Sequence, residues 1–188
     1  MIKRCEWAKG KSMVRYHDKE WGLPNHDDKT LFEFLMLEGA QAGLSWSTIL
    51  KKRKGYQKAF KNFNASRIYT FQEKEIDSLM KNSEIIRNRL KIKSVVSGAK
   101  IFLDICKEHG SFDKYIWSFV QGKPKVNRFK NLQEIPVTTD TAMEMSKDLK
   151  RKGFKFVGPT ICYSFMQAVG MVNDHEIGCF RWKEVQNI

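Results

Sequence analysis

Between Leu31 and Leu37 the chain reads LFEFLML and then places a carboxylate, Glu38, ahead of the glycine-bearing segment GAQAG. A surface helix needs one apolar stripe, whereas a helix that is apolar nearly all round has to be covered on every side. The rest of the chain must therefore be built around this segment, with Asp28 placed to cap its start. The flanking sequence supplies helices for that purpose. Ser45 can open one carrying Trp46, Ile49 and Leu50 before the basic run 51–54. From Ile86 to Cys106 apolar residues recur at steps of two to four, and Gly110 follows as a stop. Ser111 begins a short aromatic segment, one helix is predicted from about Thr139 to Lys152 ending at Gly153, and another follows Gly158 through Ala168. Alternating strand patterns are scarce. The expectation is an all-α fold in a single domain, residues 1–188, without repeats or dividing linkers.

Charge narrows the partner. Lys and Arg number 34 against 21 Asp and Glu, a formal net charge of +13. Such a surplus suits a polyanion, either nucleic acid or an anionic membrane surface, and its bland reading is a basic protein kept soluble by its charge. No stretch reads as a signal peptide or a membrane span, so the expected location is the cytoplasm, with no membrane partner. Four cysteines in that compartment are thiols or metal ligands rather than disulfides.

Three constellations could carry chemistry. The segment 150–170 reads helix, short glycine-bounded turn, helix. Gly153 can take positive φ, and Gly158 leaves N–H groups open at the next helix start, where Lys155 and the run Lys150–Lys152 would favour a phosphate. A plain helical hairpin with solvated charges is the alternative. Cys5 and His17 near one end, with His175 and Cys179 near the other, form a set that suits a closed tetrahedral zinc site. His175 and Cys179 share a face if their segment is helical. Core cysteines with surface histidines, or a Cys5–His17 nucleophile, remain open readings of the same residues. Glu38 is either satisfied by backbone donors or kept for work, and Gly39, Gln41 and Gly43 permit something flat to approach closely. Trp46, Trp7, Tyr16 and Trp21 are either core or the walls of a pocket for an extruded base.

Five blocks, RCEW at 4–7, YHDKEWG at 16–22, LEGAQAGLSW at 37–46, RKGFKFVGPTICYSFMQAVG at 151–170 and NDHEIGC at 173–179, resemble in order the DNA-3-methyladenine glycosylase I family. That resemblance implies a helix-hairpin-helix glycosylase bundle, with its hairpin near 150–170 and a small zinc lobe joining about 1–25 to 171–188. It makes Cys5, His17, His175 and Cys179 ligands of one structural zinc ion. It makes Glu38 the pocket carboxylate that recognises the methylated adenine, Trp46 a stacking platform and Tyr16 a pocket wall, with Trp7 and Trp21 beside them. Gly153, Lys155 and Gly158 fall in the DNA-gripping hairpin, although KFVG departs from the usual Leu-Pro-Gly-Val-Gly pattern.

Many related enzymes carry Val-Asp-Thr-His after the hairpin, with a catalytic Asp. Here Val172, Asn173, Asp174 and His175 stand there, so the Asp position holds Asn173. The implied activity is base excision on double-stranded DNA containing 3-methyladenine, by a monomer, leaving an abasic site without lyase action. A non-catalytic, zinc-stabilised DNA-damage-binding module is the alternative, and a zinc-stabilised interaction protein unrelated to DNA is a third reading.

Overall fold

A computed structural model describes residues 2–187. Ten α-helices are assigned among these residues, with the apolar run at their centre. Helix α1 spans Lys11–Lys19, α2 Asp28–Gln41 and α3 Trp46–Ala59. The short α4, Ala65–Ile68, and α5, Glu73–Lys81, lead to the long α6, Arg89–His109. Then come α7, Phe112–Trp117, α8, Asp140–Lys152, α9, Pro159–Ala168, and α10, Phe180–Glu184.

Every residue of α2 from Leu31 to Ala40 is buried, as its composition requires. Its cap differs from expectation by one residue. Asp27 accepts the Thr30 N–H at 2.8 Å, while the Asp28 carboxylate reaches across to the Asp113 N–H at the start of α7, 2.7 Å away. Asp28 is already inside the helix, and its charge serves a tertiary contact. The stripe on α6 also begins later than its apolar pattern suggests. Asn88 caps the helix, Ile86 lies in the preceding turn under the Tyr56 hydroxyl, and Leu90 is 70% exposed. Gly110 ends α6 in the left-handed region, and Ser45, Ser111 and Thr139 cap α3, α7 and α8.

Two additions were not legible as patterns. Lys125–Val126 (β1) and Val172–Asn173 (β2) pair in parallel, held by Lys125 N–H to Met171 O at 2.9 Å and Asn127 N–H to Asn173 O at 3.1 Å. Strands this short cannot display an alternation. The segment from Asp174 to Cys179 is a bend and turn rather than a helix, so His175 and Cys179 converge by loop curvature and not by a shared helical face.

Gly170 fixes how the N-terminal segment returns to the body. Its φ is +74°, and a Cβ there would sit 2.3 Å from the Leu23 carbonyl carbon. Gly170→Ala should therefore cost about 3 kcal/mol or more in urea unfolding, from strain plus backbone collision. Gly122→Ala is the control, since its φ of +72° faces open space; it should lose only about 1 kcal/mol. Equal losses at the two positions would mean that the Leu23 contact does not constrain the fold.

Candidate active site

The C-terminal half of α2 and the start of α3 form one side of a cleft of about 370 Å³. Glu38 and Gln41 reach it from α2, and Trp46 from the first turn of α3. Tyr16 of α1 meets Trp46 with ring centroids 5.5 Å apart, and Trp46 in turn lies over Phe34 at 6.5 Å. Trp7 and Trp21 extend the aromatic wall, edge to face at 4.9 Å. The four aromatic residues and the carboxylate singled out in the sequence are thus brought together around one space.

The electrostatics of this space are unlike those of the chain as a whole. No Lys, Arg or His lines the cleft among the described residues, despite the +13 net charge. Glu38 is 2% exposed; its Oε2 has no hydrogen-bond partner, and neither does the Trp46 indole N–H. Unpartnered buried polar atoms are uncommon, and here both belong to residues that line one cleft. Burial pushes the Glu38 carboxyl up from 4.5 to about 8. Tyr16 is likewise raised, first by burial and then by the negative charges of Glu38 and Glu20.

The expected role of the glycines after Glu38 needs correction. A Cβ at Gly39 would touch Phe156 in the turn before α9, so this glycine permits helix-to-turn packing and not the approach of a ligand. Gly43 has φ +76° and open space around it, which makes it a turn residue presenting Leu44. Leu44 is 41% exposed, between Gln41 and Trp46 of the cleft.

Several lining residues escaped the sequence reading. Thr160, Tyr163, Ser164 and Gln167 line the cleft from α9, and Leu132 with Ile135–Val137 line it from the loop before α8. The first set had a signal. On an otherwise apolar helix, polar residues at steps of three, one and three form a stripe, which marks the face turned from the core toward solvent or a cleft. The loop has no such periodicity.

Beside the aromatic wall, Cys5, His17, His175 and Cys179 are all buried, with candidate ligand atoms within 4.8 Å of one another. Cys5 Sγ lies 3.5 Å from His175 Nδ1, and Cys179 Sγ lies 3.4 Å from His17 Nε2 and 3.7 Å from His175 Nδ1. Tetrahedral zinc with bonds of about 2.0–2.3 Å has edges of roughly 3.3–3.8 Å; these three separations match such edges, and the widest, within 4.8 Å, would close slightly around an ion, so the donor set suits a closed four-ligand site. The outer ring nitrogens are also held: His17 Nδ1 pairs with Asp18 Oδ1 at 2.8 Å, and His175 Nε2 with Trp21 O at 3.1 Å. Asp18 is itself gripped by Arg4. Such second contacts orient imidazole ligands. The proximity of Cys5 holds the Cys179 thiol below its usual value, while Cys179 and burial push Cys5 up. A divalent cation would favour ionisation of both.

At the other candidate surface, Gly153 closes α8 with φ +106°, and Gly158 precedes α9, whose first turn has no side-chain cap. Lys150 and Lys155 are exposed, but Arg151 pairs with Asp148, and Lys152 pairs with Glu108 while lying over the Tyr115 ring. In the other basic run, Arg53 is no free cation either; it is half-buried between Glu20 and Glu33, above Phe34.

The methyladenine glycosylase family matches residues 7–182 of the chain. DNA-3-methyladenine glycosylase 1 of Escherichia coli (strain K12) is 45% identical over 179 residues, covering 95% of this chain and 96% of its own. The DNA-3-methyladenine glycosylase of Haemophilus influenzae is 46% identical over 180 residues, at 95% and 97% coverage. A crystal structure of a 3-methyladenine DNA glycosylase I superposes with a TM-score of 0.93 at 47% identity, covering 95% of this chain and 98% of that one. A Staphylococcus aureus 3-methyladenine DNA glycosylase I, whose structure addresses 3-methyladenine recognition, gives 0.90 at 41% identity over 92% of each chain. No helix among the described residues is long and apolar enough to cross a membrane. With a cation-free, carboxylate-bearing aromatic cleft, nearly full-length matches and a closely superposing fold, the chain belongs to the methyladenine glycosylase family.

Proposed function

We propose that this protein excises 3-methyladenine from alkylated double-stranded DNA by hydrolysing its N-glycosidic bond, leaving an abasic site. The observation that carries this reading is the buried, unpartnered Glu38 carboxyl in a cleft without cations. A base methylated at N3 is cationic while attached to DNA. A carboxylate at its edge gains charge attraction and accepts hydrogen bonds from the adenine, whereas neutral adenine offers no compensating charge. Trp46 provides the stacking face and Tyr16 encloses the base, with Trp7 and Trp21 completing the wall.

The lesion also explains why no separate general acid is required. As the bond breaks, its electron pair passes to the base, which leaves neutral; water bonds to C1′ and its proton passes to solvent. Positioning then matters more than acid catalysis. Asn173, at the position of the usual catalytic Asp, is engaged with Trp182 O and the His175 N–H, which supports an excision that does not use it.

In this reading the Cys5, His17, His175 and Cys179 set holds one zinc ion. Closed by four protein ligands, it supplies stability and no chemistry, tying the segment that carries Tyr16 and Trp21 to the C-terminal segment. The α8–turn–α9 unit acts as a helix-hairpin-helix grip. Gly153 and Gly158 shape its backbone, and Lys155 supplies exposed charge to a phosphate.

Leu44, exposed on the turn between Glu38 and Trp46, is placed to fill the gap left by an extruded base. Leu44→Ala should lower kcat/KM about tenfold on methylated duplex and barely change it on methylated single strands, where there is no stack to refill. Equal losses on both would remove the wedge role. The reading as a whole is tested by counting alkali-labile sites in methylated duplex incubated with the protein. New abasic sites are expected. Tight binding to the damaged duplex without them would favour the damage-binding module.

A further inference from the structure

Asp174 is fully buried and takes three hydrogen bonds, none from a cation. Asn127 Nδ2 donates to Oδ1 at 2.6 Å. The Tyr163 hydroxyl and Gln167 Nε2 donate to Oδ2 at 2.6 and 2.7 Å. Both Tyr163 and Gln167 belong to the polar stripe of α9 that lines the cleft, whereas Asp174 itself does not line it.

This network decides an orientation that an isolated glutamine leaves free. A carboxylate only accepts, so the Gln167 amide must turn its NH₂ toward Asp174 and its carbonyl oxygen away. The backbone on either side is fixed as well: Gln167 lies within α9, and its own carbonyl accepts the Gly22 N–H at 3.1 Å, next to Trp21. Gln167 Oε1 has no hydrogen-bond partner among the described residues. The result is a preset acceptor in a cleft already lacking cations.

We propose that Gln167 is a substrate-contacting acceptor for the extruded cationic nucleotide, and that Asp174 is a positioning residue that holds the Gln167 amide in its accepting orientation. This rests on the glycosylase reading of the cleft. A fixed dipole whose negative end faces a positive charge stabilises it without reorganising during the reaction. If Asp174 were released, the amide could rotate and present NH₂ to a cation, turning an attractive contact into a repulsive one. A purely structural Asp174, tying β2 to α9, would act on stability and would be indifferent to what occupies position 167.

The test is a double-mutant cycle on release of 3-methyladenine from methylated duplex, using the full chain, with kcat and KM separated and zinc content and Tm recorded for each variant. Gln167→Met keeps the length but removes the acceptor. It should lower kcat/KM at least tenfold, mainly by raising KM, with little change in Tm. Asp174→Asn should lower kcat/KM comparably at unchanged zinc content, and its effect should largely vanish in the Gln167→Met background. The inference is overturned if Gln167→Met keeps kcat/KM within twofold of the parent, or if the two losses multiply independently. The first criterion stands even if Asp174→Asn does not fold. No base released by the parent protein would instead overturn the glycosylase reading, and this inference with it.

Discussion

Glu38→Gln should yield a protein that is more stable than its parent and excises 3-methyladenine at least 100-fold more slowly. Both effects have one cause. Burial raises the Glu38 carboxyl from 4.5 to about 8, so between these values the folded state holds a proton that the unfolded chain releases. The folded state binds more protons, and stability falls as pH rises through this window. It is greatest below 4.5, and by pH 7 the accumulated penalty is about 3 kcal/mol at most, since each pH unit is worth about 1.4 kcal/mol. An amide of the same shape has no such titration. The stability gain should therefore grow from pH 5 to pH 8, as measured by urea unfolding at each pH. Activity is lost because the amide carries no charge for the cationic base.

The same group sets a pH dependence for catalysis. The ionised carboxylate is the form that attracts the cationic base, yet the empty cleft keeps Glu38 mostly protonated at pH 7. Parent kcat/KM should rise about tenfold from pH 6.5 to 7.5 and flatten above pH 8, with kcat less affected because the bound cation favours ionisation. In Glu38→Gln this rise should be absent. A parent profile that falls with pH over this range would show that the neutral acid is the working form.

The second large effect belongs to the cysteine–histidine cluster. Cys179→Ser should lower bound zinc from about one equivalent to a small fraction and destabilise the protein by about 3–5 kcal/mol, roughly 10–15 °C in Tm. Removing one ligand leaves Cys5, His17 and His175 buried around an incomplete site, and it loosens the junction where Phe180 N–H meets Lys3 O. A strong chelator should move the parent in the same direction and leave the variant almost unchanged. Below its lowered Tm the variant should retain much of its excision rate, because the cluster faces the back of the aromatic wall and not the reacting bond. Loss of excision at full stability would instead assign the metal a catalytic role.

How far these features can be read from the chain depends on what kind of signal each leaves. Glu38 is legible because a carboxylate closing a run that is apolar except at Glu33 has no inexpensive location. Gly153 marks the end of α8 because helix termination there takes a left-handed backbone, and the Gly158–Pro159 pair marks the start of α9, with proline in its first turn. The four cysteine and histidine residues are legible as residue types, but their meeting depends on the loop path from Asp174 to Cys179, which is not the helix that the HxxxC spacing would suit. Arg53 hides in a basic run although Ile49, Tyr56 and Phe60 share its helical face; periodicity, more than charge, marks it as inward-facing. The α9 stripe was available by the same rule. The lining from Leu132 to Val137 was not, because an irregular loop is placed by tertiary contacts alone.

The most direct measurement is chromatographic identification of the base freed from methylated duplex DNA. The carboxylate-bearing cleft predicts free 3-methyladenine, little 7-methylguanine and no detectable adenine from the parent protein, with 3-methyladenine release all but abolished in Glu38→Gln. Damaged DNA that is bound with no base released, or 3-methyladenine and 7-methylguanine released at equal rates, would contradict it.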